Sequence, residues 1–224
     1  VCEDYPKIKA ATLAIGGWGD AYKNTVSHLV ENLRSPVKGI VGPWVHKYPH
    51  FAVPEPRIGF LQEALRWWDQ WLKGEDTGVS QDPAYTVHLM DGVRPHSWYE
   101  RRDGHWITED EWPGQQLHQR WYLQASGQLA DFPSDLTTKL TSTQNCGGAA
   151  GEYCAIWLGP EMPNDQRLDD ALSACFTSKS LESQFDIIGS PTLKLQISSD
   201  QPIAQIAVRL NHVHPDGAST RMTY

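Results

Sequence analysis

The sequence predicts an α/β unit in the first third of the chain and an all-β domain after it. Before residue 80, short apolar runs that end at glycine alternate with a helical pattern, which is typical of a parallel strand–helix–strand crossover. From Ala84 onward the helical pattern fades, and short β-like runs follow one another between turn sequences, which is typical of an antiparallel sandwich or jelly roll. We therefore expect two domains, over residues 1–80 and 84–224, with the boundary in the polar, turn-rich stretch from Gly74 to Pro83.

The first unit brings an acid and an imidazole to the ends of two strands. The apolar runs Lys9 to Ile15 and Val37 to Val41 are each followed directly by glycine, so each is predicted to be a strand stopped by a tight turn. Between them, Ala21 to Leu33 carries apolar residues at helical spacing. Asp20 and His46 thus follow the carboxyl ends of consecutive strands, the edge at which open α/β sheets build their active sites.

The remaining elements are one helix and a series of short strands. A helix is predicted over Gly59 to Lys73, with Trp67, Trp68 and Trp71 on a face that should pack on the sheet. Strands are predicted where apolar and polar residues alternate or where short β-like runs recur, namely Tyr85 to Met90, His118 to Leu123, Leu193 to Ser198 and Ile203 to Leu210.

Composition and charge exclude several classes of partner. The net charge of −8 argues against a nucleic acid or an anionic membrane, because either partner calls for a basic surface. No apolar run approaches the roughly 20 residues that cross a bilayer, and the first residues lack the pattern of a signal peptide. We therefore expect a cytoplasmic location.

The cysteines and histidines give no strong metal signal. The four cysteines lack metal-like spacing and are expected to be reduced, with a disulfide between Cys146 and Cys154 as the alternative. His212, His214 and Asp216 could hold a metal, but they would need further convergent ligands, and Pro, Asp and Gly of the adjoining run each suit a bend. We expect no metal and no cofactor.

Several motifs occur in a characteristic order along the chain. They are IGGWGD, GIVGPWVH, LRWWDQWLKG, VHLMDGVRPHSWYE, HWITEDEWPG, WYLQASGQL, DQRLDD and HPDG. Together they resemble the cocaine esterase and X-Pro dipeptidyl-peptidase family, the CocE/NonD-type hydrolases, over nearly the whole chain. That family joins an α/β-hydrolase domain with a helical cap to a carboxyl-terminal jelly roll. The resemblance implies that residues 1–80 are the last strands and helices of an α/β-hydrolase domain and that residues 84–224 form an incomplete jelly-roll β-sandwich.

The resemblance also implies a Ser-His-Asp triad in which Asp20 is the acid and His46 the base. In such a triad the imidazole takes the proton of a serine hydroxyl, while the carboxylate holds the imidazole in the right tautomer. The structural alternative is that Asp20 caps the helix and His46 is a turn residue near a core. Trp18 and Trp44 flank the pair, and we expect them to shape the substrate pocket, with plain packing as the alternative.

The third member of the triad is absent from the sequence. No Gly-flanked serine lies between a strand and a helix, which is the elbow that exposes the nucleophile of this fold, and Ser27, Ser126 and Ser190 lack that context. In the family the elbow precedes the point at which this chain begins, so we expect a fragment that is inactive alone. The strand Lys9 to Ile15 should then pair with the missing amino-terminal part, with a separate chain, or with a symmetry mate in a homo-oligomer.

The predicted function is therefore that of the carboxyl-terminal part of a serine hydrolase, of esterase or dipeptidyl-peptidase type, acting on a small-molecule ester or amide. Tyr22 and Lys23 stand where α-amino acid ester hydrolases place acidic residues for the substrate ammonium, which favours a neutral or acidic acyl group. The alternative is a non-catalytic jelly-roll module for binding or interaction, with a vestigial α/β segment.

Overall fold

A four-stranded mixed sheet forms the centre of the computed structural model, which describes residues 4–114, 118–141 and 143–222. Its strands are β1 (Thr12–Gly17), β2 (Val37–Gly42), β3 (Tyr85–Met90) and β4 (Gly104–Glu109), in the spatial order β1-β2-β3-β4. The first three strands are parallel, and β4 runs antiparallel to β3. Helix α1 (Lys23–Asn32) connects β1 to β2, so the predicted strand–helix–strand crossover is present with bounds shifted by a few residues.

Both faces of β2 are buried, as expected of a strand inside a parallel sheet. On one face Val41 packs with Val26 and Val30 of α1. On the other face Ile40 packs with Trp44 and Ala52, from the loop that follows β2. The alternation of side chains along β2 thus anchors α1 on one side and the loop after the strand on the other.

Helix α2 (Phe60–Trp68) continues as a π-helical turn, Asp69–Lys73, and ends at Gly74 in the left-handed conformation (φ 76°). Ala64 and Trp67 are buried, whereas Trp68 and Trp71 are exposed. The expectation that all three tryptophans pack on the sheet is wrong for these two, because apolar residues surround the short helix and only one side meets the rest of the chain.

An ion cluster connects α2 to the sheet. The Nζ of Lys38, on β2, lies 3.1 Å from an oxygen of Glu63 and 2.5 Å from an oxygen of Asp82. Arg66 contacts the same two carboxylates. Burial opposes ionisation of Asp82, but the hydrogen bonds from Lys38 and Arg66 outweigh it and lower its pKa.

The strand Tyr85–Met90 has the predicted bounds but belongs to the first sheet. It pairs in parallel with β2, and Tyr85 and Val87 complete the core beneath α1. Its placement in a separate sandwich is therefore wrong, because its buried apolar residues extend the α/β core rather than begin a new one. The division of the chain at residues 80–84 stays a prediction.

The predicted jelly roll is not formed by the described residues. Beyond β4 they contain β5 (Tyr122–Leu123), β6 (Leu129–Ala130), β7 (Asn211–Val213) and β8 (Ser219–Arg221), paired as two separate two-stranded sheets, and a short helix α3 (Arg167–Asp170). Of the strand expected over His118 to Leu123 only β5 is present, and Leu193–Ser198 and Ile203–Leu210 are not strands. Alternation marks a segment that can form a strand, but a strand also needs a partner, and these segments have none among the described residues.

Two 3-10 turns, Tyr5–Lys7 and Val79–Gln81, complete the regular structure. Within the three described ranges, no helix combines the length and the apolar character that crossing a membrane requires.

Candidate active site

The ends of β1 and β2 approach each other because glycine occupies two crowded positions. A Cβ on Gly17 would lie 2.0 Å from the carbonyl oxygen of Trp44, and a Cβ on Gly42 would lie 2.4 Å from the indole of Trp44. With no side chain there, the backbone N–H of Gly19 donates to the Trp44 carbonyl over 2.9 Å. The residues that follow the two strands are thus fixed next to each other.

This approach joins Asp20 to His46. The Nδ1 of His46 lies 2.8 Å from Oδ2 of Asp20, while Oδ1 of Asp20 accepts the backbone N–H of Tyr22 over 2.8 Å. The carboxylate side chain is 13% exposed and the imidazole 52% exposed. The acid is therefore held by two hydrogen bonds under the surface, and the imidazole is open to solvent.

The geometry determines which ring nitrogen of His46 carries the proton. An ionised carboxylate only accepts hydrogen bonds, so Nδ1 must be the donor to Asp20. In the neutral ring Nε2 then keeps a free lone pair. A carboxylate on Nδ1 and a basic Nε2 is the arrangement through which a triad histidine takes up a proton.

A distant segment covers one side of this pair. The backbone N–H of His46 donates to the carbonyl of Ala155 over 2.8 Å, and Ala155 packs with Val45 and Met162 in a small buried cluster. The adjacent Cys154 is a free, half-buried thiol, and ligand atoms of Asp20, His46 and Cys154 all lie within 4.8 Å of one another. The sequence gives no sign that Cys154 lies near this pair, because only the tertiary fold brings it to the strand ends.

A small cavity opens beside Asp20, and two cations line it. Its lining includes Gly19, Lys23, Glu152 and Arg221. Burial and then the nearby Arg221 lower the pKa of Lys23, while Asp20 and Cys154 act in the opposite direction. The two cations therefore offset the negative charges of Asp20 and Glu152 on this side of the pair.

The two tryptophans proposed for the pocket have packing roles in this structure. Trp44 is 1% exposed, and its indole N–H donates to the carbonyl of Pro56 over 2.8 Å. Trp18 is half-buried and donates to the carbonyl of His88 over 2.9 Å. Their part in a substrate pocket stays a prediction.

The other candidate residues are engaged elsewhere. The hydroxyl of Ser27 donates to Asn24 within α1, and that of Ser126 to Gln128 in the β5–β6 turn. Asp216 is bound by Arg94, and the ring of His214 lies against the hydroxyl of Thr220 at the β7–β8 hairpin. The hairpin turn expected for the Pro-Asp-Gly run connects β7 and β8.

Comparison with known families agrees with the resemblance found in the sequence. Residues 77–224 match the model of the X-Pro dipeptidyl-peptidase C-terminal non-catalytic domain, and residues 1–48 match that of X-Pro dipeptidyl-peptidase (S15 family). The first match covers more than half of the chain. The chain belongs to the X-Pro dipeptidyl-peptidase family, of which it has the carboxyl-terminal portion.

Two curated mycobacterial proteins are similar to almost the whole chain. Each is named "Putative serine esterase", one from Mycobacterium bovis and one from Mycobacterium tuberculosis, and each is 24% identical over 227 residues. The alignments cover 96% of this chain and 34% of each relative. The chain thus spans about a third of the length of the curated relatives that it matches.

Proposed function

We propose that this chain is the carboxyl-terminal part of a serine hydrolase and supplies two members of its Ser-His-Asp triad. Asp20 is the acid and His46 the base, and a serine outside these 224 residues is the nucleophile. The observation that carries the proposal is the 2.8 Å hydrogen bond between Asp20 and Nδ1 of His46, at the carboxyl ends of adjacent parallel strands. Such strand ends are where α/β enzymes place catalytic groups.

In the proposed reaction the chain handles the proton. Nε2 of His46 takes the serine proton as the hydroxyl attacks an acyl carbon and later returns a proton to the leaving alcohol or amine. Asp20 stabilises the imidazolium that forms in between and keeps Nδ1 as the donor. The open face of the imidazole leaves room for the serine and the substrate to reach Nε2.

The charge around the pair favours an uncharged or acidic acyl group over a cationic one. Lys23 and Arg221 line the cavity beside Asp20, with Glu152 the acidic residue among its lining residues. Lys23 and Arg221 offset the charges of Glu152 and Asp20, so the cavity has no net negative charge to hold a substrate ammonium. Esters and amides with neutral or anionic acyl groups are therefore the proposed substrate class.

Turnover of p-nitrophenyl acetate by the full-length protein tests the triad roles. Replacing His46→Ala should lower kcat by at least about 10³-fold, because the serine loses its base. The matched control is Lys47→Ala, which changes the exposed neighbour and should leave kcat within about twofold. If the activity survived in His46→Ala, His46 would not be the catalytic base. The 224 residues alone should show no His46-dependent turnover.

A second candidate function is supported by one observation. The family model that matches residues 77–224 is described as non-catalytic, which supports a binding or interaction module in this part of the chain. If the full-length protein lacked His46-dependent hydrolysis but bound a carbohydrate or a protein through residues 84–224, this second function would replace the first.

The edge of the sheet is the proposed place for the missing part. Among the described residues β1 pairs with β2 alone, so its other edge presents backbone groups to a further strand. We propose that the amino-terminal part of the hydrolase, or a second copy of the chain, adds a strand there. Hydrogen exchange at the β1 amides should then slow when that part is supplied.

A further inference from the structure

Three side chains of different chemistry converge where β1 and β2 end. A carboxylate oxygen of Asp20, a ring nitrogen of His46 and the sulfur of Cys154 lie within 4.8 Å of one another. Asp20 and His46 come from the ends of the sheet, and Cys154 comes from the segment that covers them through the His46–Ala155 hydrogen bond. Each is therefore held by backbone structure and not by a chance contact of exposed side chains.

The set matches the ligands of zinc-like metal ions. Thiolate, imidazole and carboxylate are the three protein ligands that Zn²⁺ uses, with bonds of about 2.0–2.3 Å in a tetrahedral arrangement. Such bonds place neighbouring ligand atoms about 3.3–3.8 Å apart. A separation of at most 4.8 Å is close to this range, and the 2.8 Å hydrogen bond between Nδ1 of His46 and Asp20 must open by about 0.5 Å as the metal takes the place of its proton. The 52% exposed imidazole leaves one side open for a water as the fourth ligand.

We propose that Asp20, His46 and Cys154 bind a divalent, thiol-seeking metal ion of the zinc class. Binding forms bonds from the metal to sulfur, to a ring nitrogen and to a carboxylate oxygen. The thiol proton leaves to solvent, and the neutral ring of His46 exchanges its Nδ1 proton for one on Nε2, so about one proton is released per ion and no group changes its oxidation state. The site was not expected from the sequence, because its third ligand is far from the other two along the chain.

Nearby charged groups affect the binding of the metal ion. Lys23 faces Cys154 and Asp20, and Arg221 lies next to Lys23. These two cations repel the arriving metal ion. The two anionic ligands, Asp20 and the Cys154 thiolate, cancel the charge of the ion, so the filled site gains only one positive charge relative to the empty one.

Binding does not depend on the pair being catalytic. If the proposed hydrolase function also holds, the metal would occupy the histidine that the serine needs, so zinc would inhibit the full-length enzyme. Metal binding is measured directly and not through hydrolysis, so its outcome does not depend on the catalytic role of His46.

Thiol protection tests the site without any substitution. The reduced chain is treated with N-ethylmaleimide with and without Zn²⁺, and alkylation at each cysteine is followed by mass spectrometry. Zn²⁺ should slow modification of Cys154 at least about tenfold, while the exposed Cys175 reacts at an unchanged rate. Equal rates at Cys154 with and without Zn²⁺ would overturn the proposal.

Cobalt replaces zinc as a spectroscopic probe of the ligands. Co²⁺ should give visible bands of a tetrahedral ion and a sulfur-to-cobalt charge-transfer band in the near ultraviolet. Cys154→Ser should abolish the charge-transfer band, and His46→Gln should weaken Co²⁺ binding at least about tenfold. Cys175→Ser and His50→Gln are the matched controls, and both should bind as the unmodified chain does. A charge-transfer band that persists in Cys154→Ser would contradict the assignment of the sulfur ligand.

Discussion

Replacing Asp20→Asn should reverse the tautomer of His46 while leaving the fold in place. In the native protein Oδ1 of Asp20 accepts the N–H of Tyr22 over 2.8 Å, and Oδ2 accepts Nδ1–H of His46 over 2.8 Å. An amide has one oxygen and one NH₂ group. The Tyr22 N–H needs the oxygen, so the NH₂ group must face His46. Nδ1 then becomes the acceptor, and the ring proton moves to Nε2. Nε2 therefore has no lone pair with which to accept the proton of the serine.

The cost should fall on catalysis far more than on stability. A wrong histidine tautomer in a triad lowers kcat by about 10⁴-fold, which corresponds to about 5 kcal/mol of activation free energy. The amide keeps the shape of the carboxylate and both hydrogen bonds, so the free energy of unfolding should change by about 1 kcal/mol or less. The exposed Asp110→Asn is a control of the same chemistry outside the site.

Two measurements follow this change. Nitrogen-15 NMR of the His46 ring in the 224-residue chain should show the proton on Nδ1 in the native protein and on Nε2 in Asp20→Asn. Ester turnover by the full-length protein gives kcat. If the tautomer stays unchanged in Asp20→Asn, or if kcat falls by less than about tenfold, the reasoning from the Tyr22 hydrogen bond is refuted.

Two further predictions concern stability. Gly17→Ala places a methyl group 2.0 Å from the Trp44 carbonyl, so it should lower the free energy of unfolding by about 2 kcal/mol or more. Gly159→Ala, whose methyl group meets nothing within 4 Å, should change that free energy little. Equal denaturant midpoints for the two variants would contradict the close approach of Gly17 to Trp44. Burial, then the charges of His105 and Arg102, lowers the pKa of His88 from 6.5. As the pH falls below about 6.5, His88 binds a proton more readily in the unfolded chain than in the folded chain. The free energy of unfolding should therefore decline in this pH range. His88→Leu should flatten this decline in urea titrations at several pH values; an unchanged pH profile would exclude His88 as its source.

The relation between Asp20 and His46 could be predicted from local patterns. Two apolar runs that end at glycine, with a helix pattern between them, are enough to specify a right-handed parallel crossover. That crossover places the residues after both strands at one edge of the sheet. The hydrogen bond between them then follows from the short turns that Gly17 and Gly42 allow.

Cys154 and Arg221 could not be found in the same way. Cys154 and Arg221 reach Asp20 only through tertiary contacts, such as the hydrogen bond between His46 and Ala155. The sequence around Cys154 shows no periodicity from which the position of this segment in the fold could be predicted. Lys23 lies close to Asp20 along the sequence, so its place near the site could be predicted, whereas that of Arg221 could not.

The errors about strands have a related origin. A short β-like run identified Tyr85–Met90 as a strand, but such a run does not specify the neighbouring strand. The strand joined the first sheet because Tyr85 and Val87 fit beneath α1. In Leu193–Ser198 alternation is clear, yet Leu195 and Ile197 are exposed. Side-chain patterns show which face could be buried, whereas strand pairing depends on the rest of the fold.

Labelling with a fluorophosphonate probe tests most directly the claim that this chain provides the acid and the base for a serine located elsewhere in the protein. The full-length protein is treated with the probe, and the modified residue is identified by mass spectrometry. We predict one labelled serine outside these 224 residues, with labelling largely lost in His46→Ala and retained in Lys47→Ala. The absence of any label, a labelled serine within the 224 residues, or labelling that does not depend on His46 would contradict the proposed function.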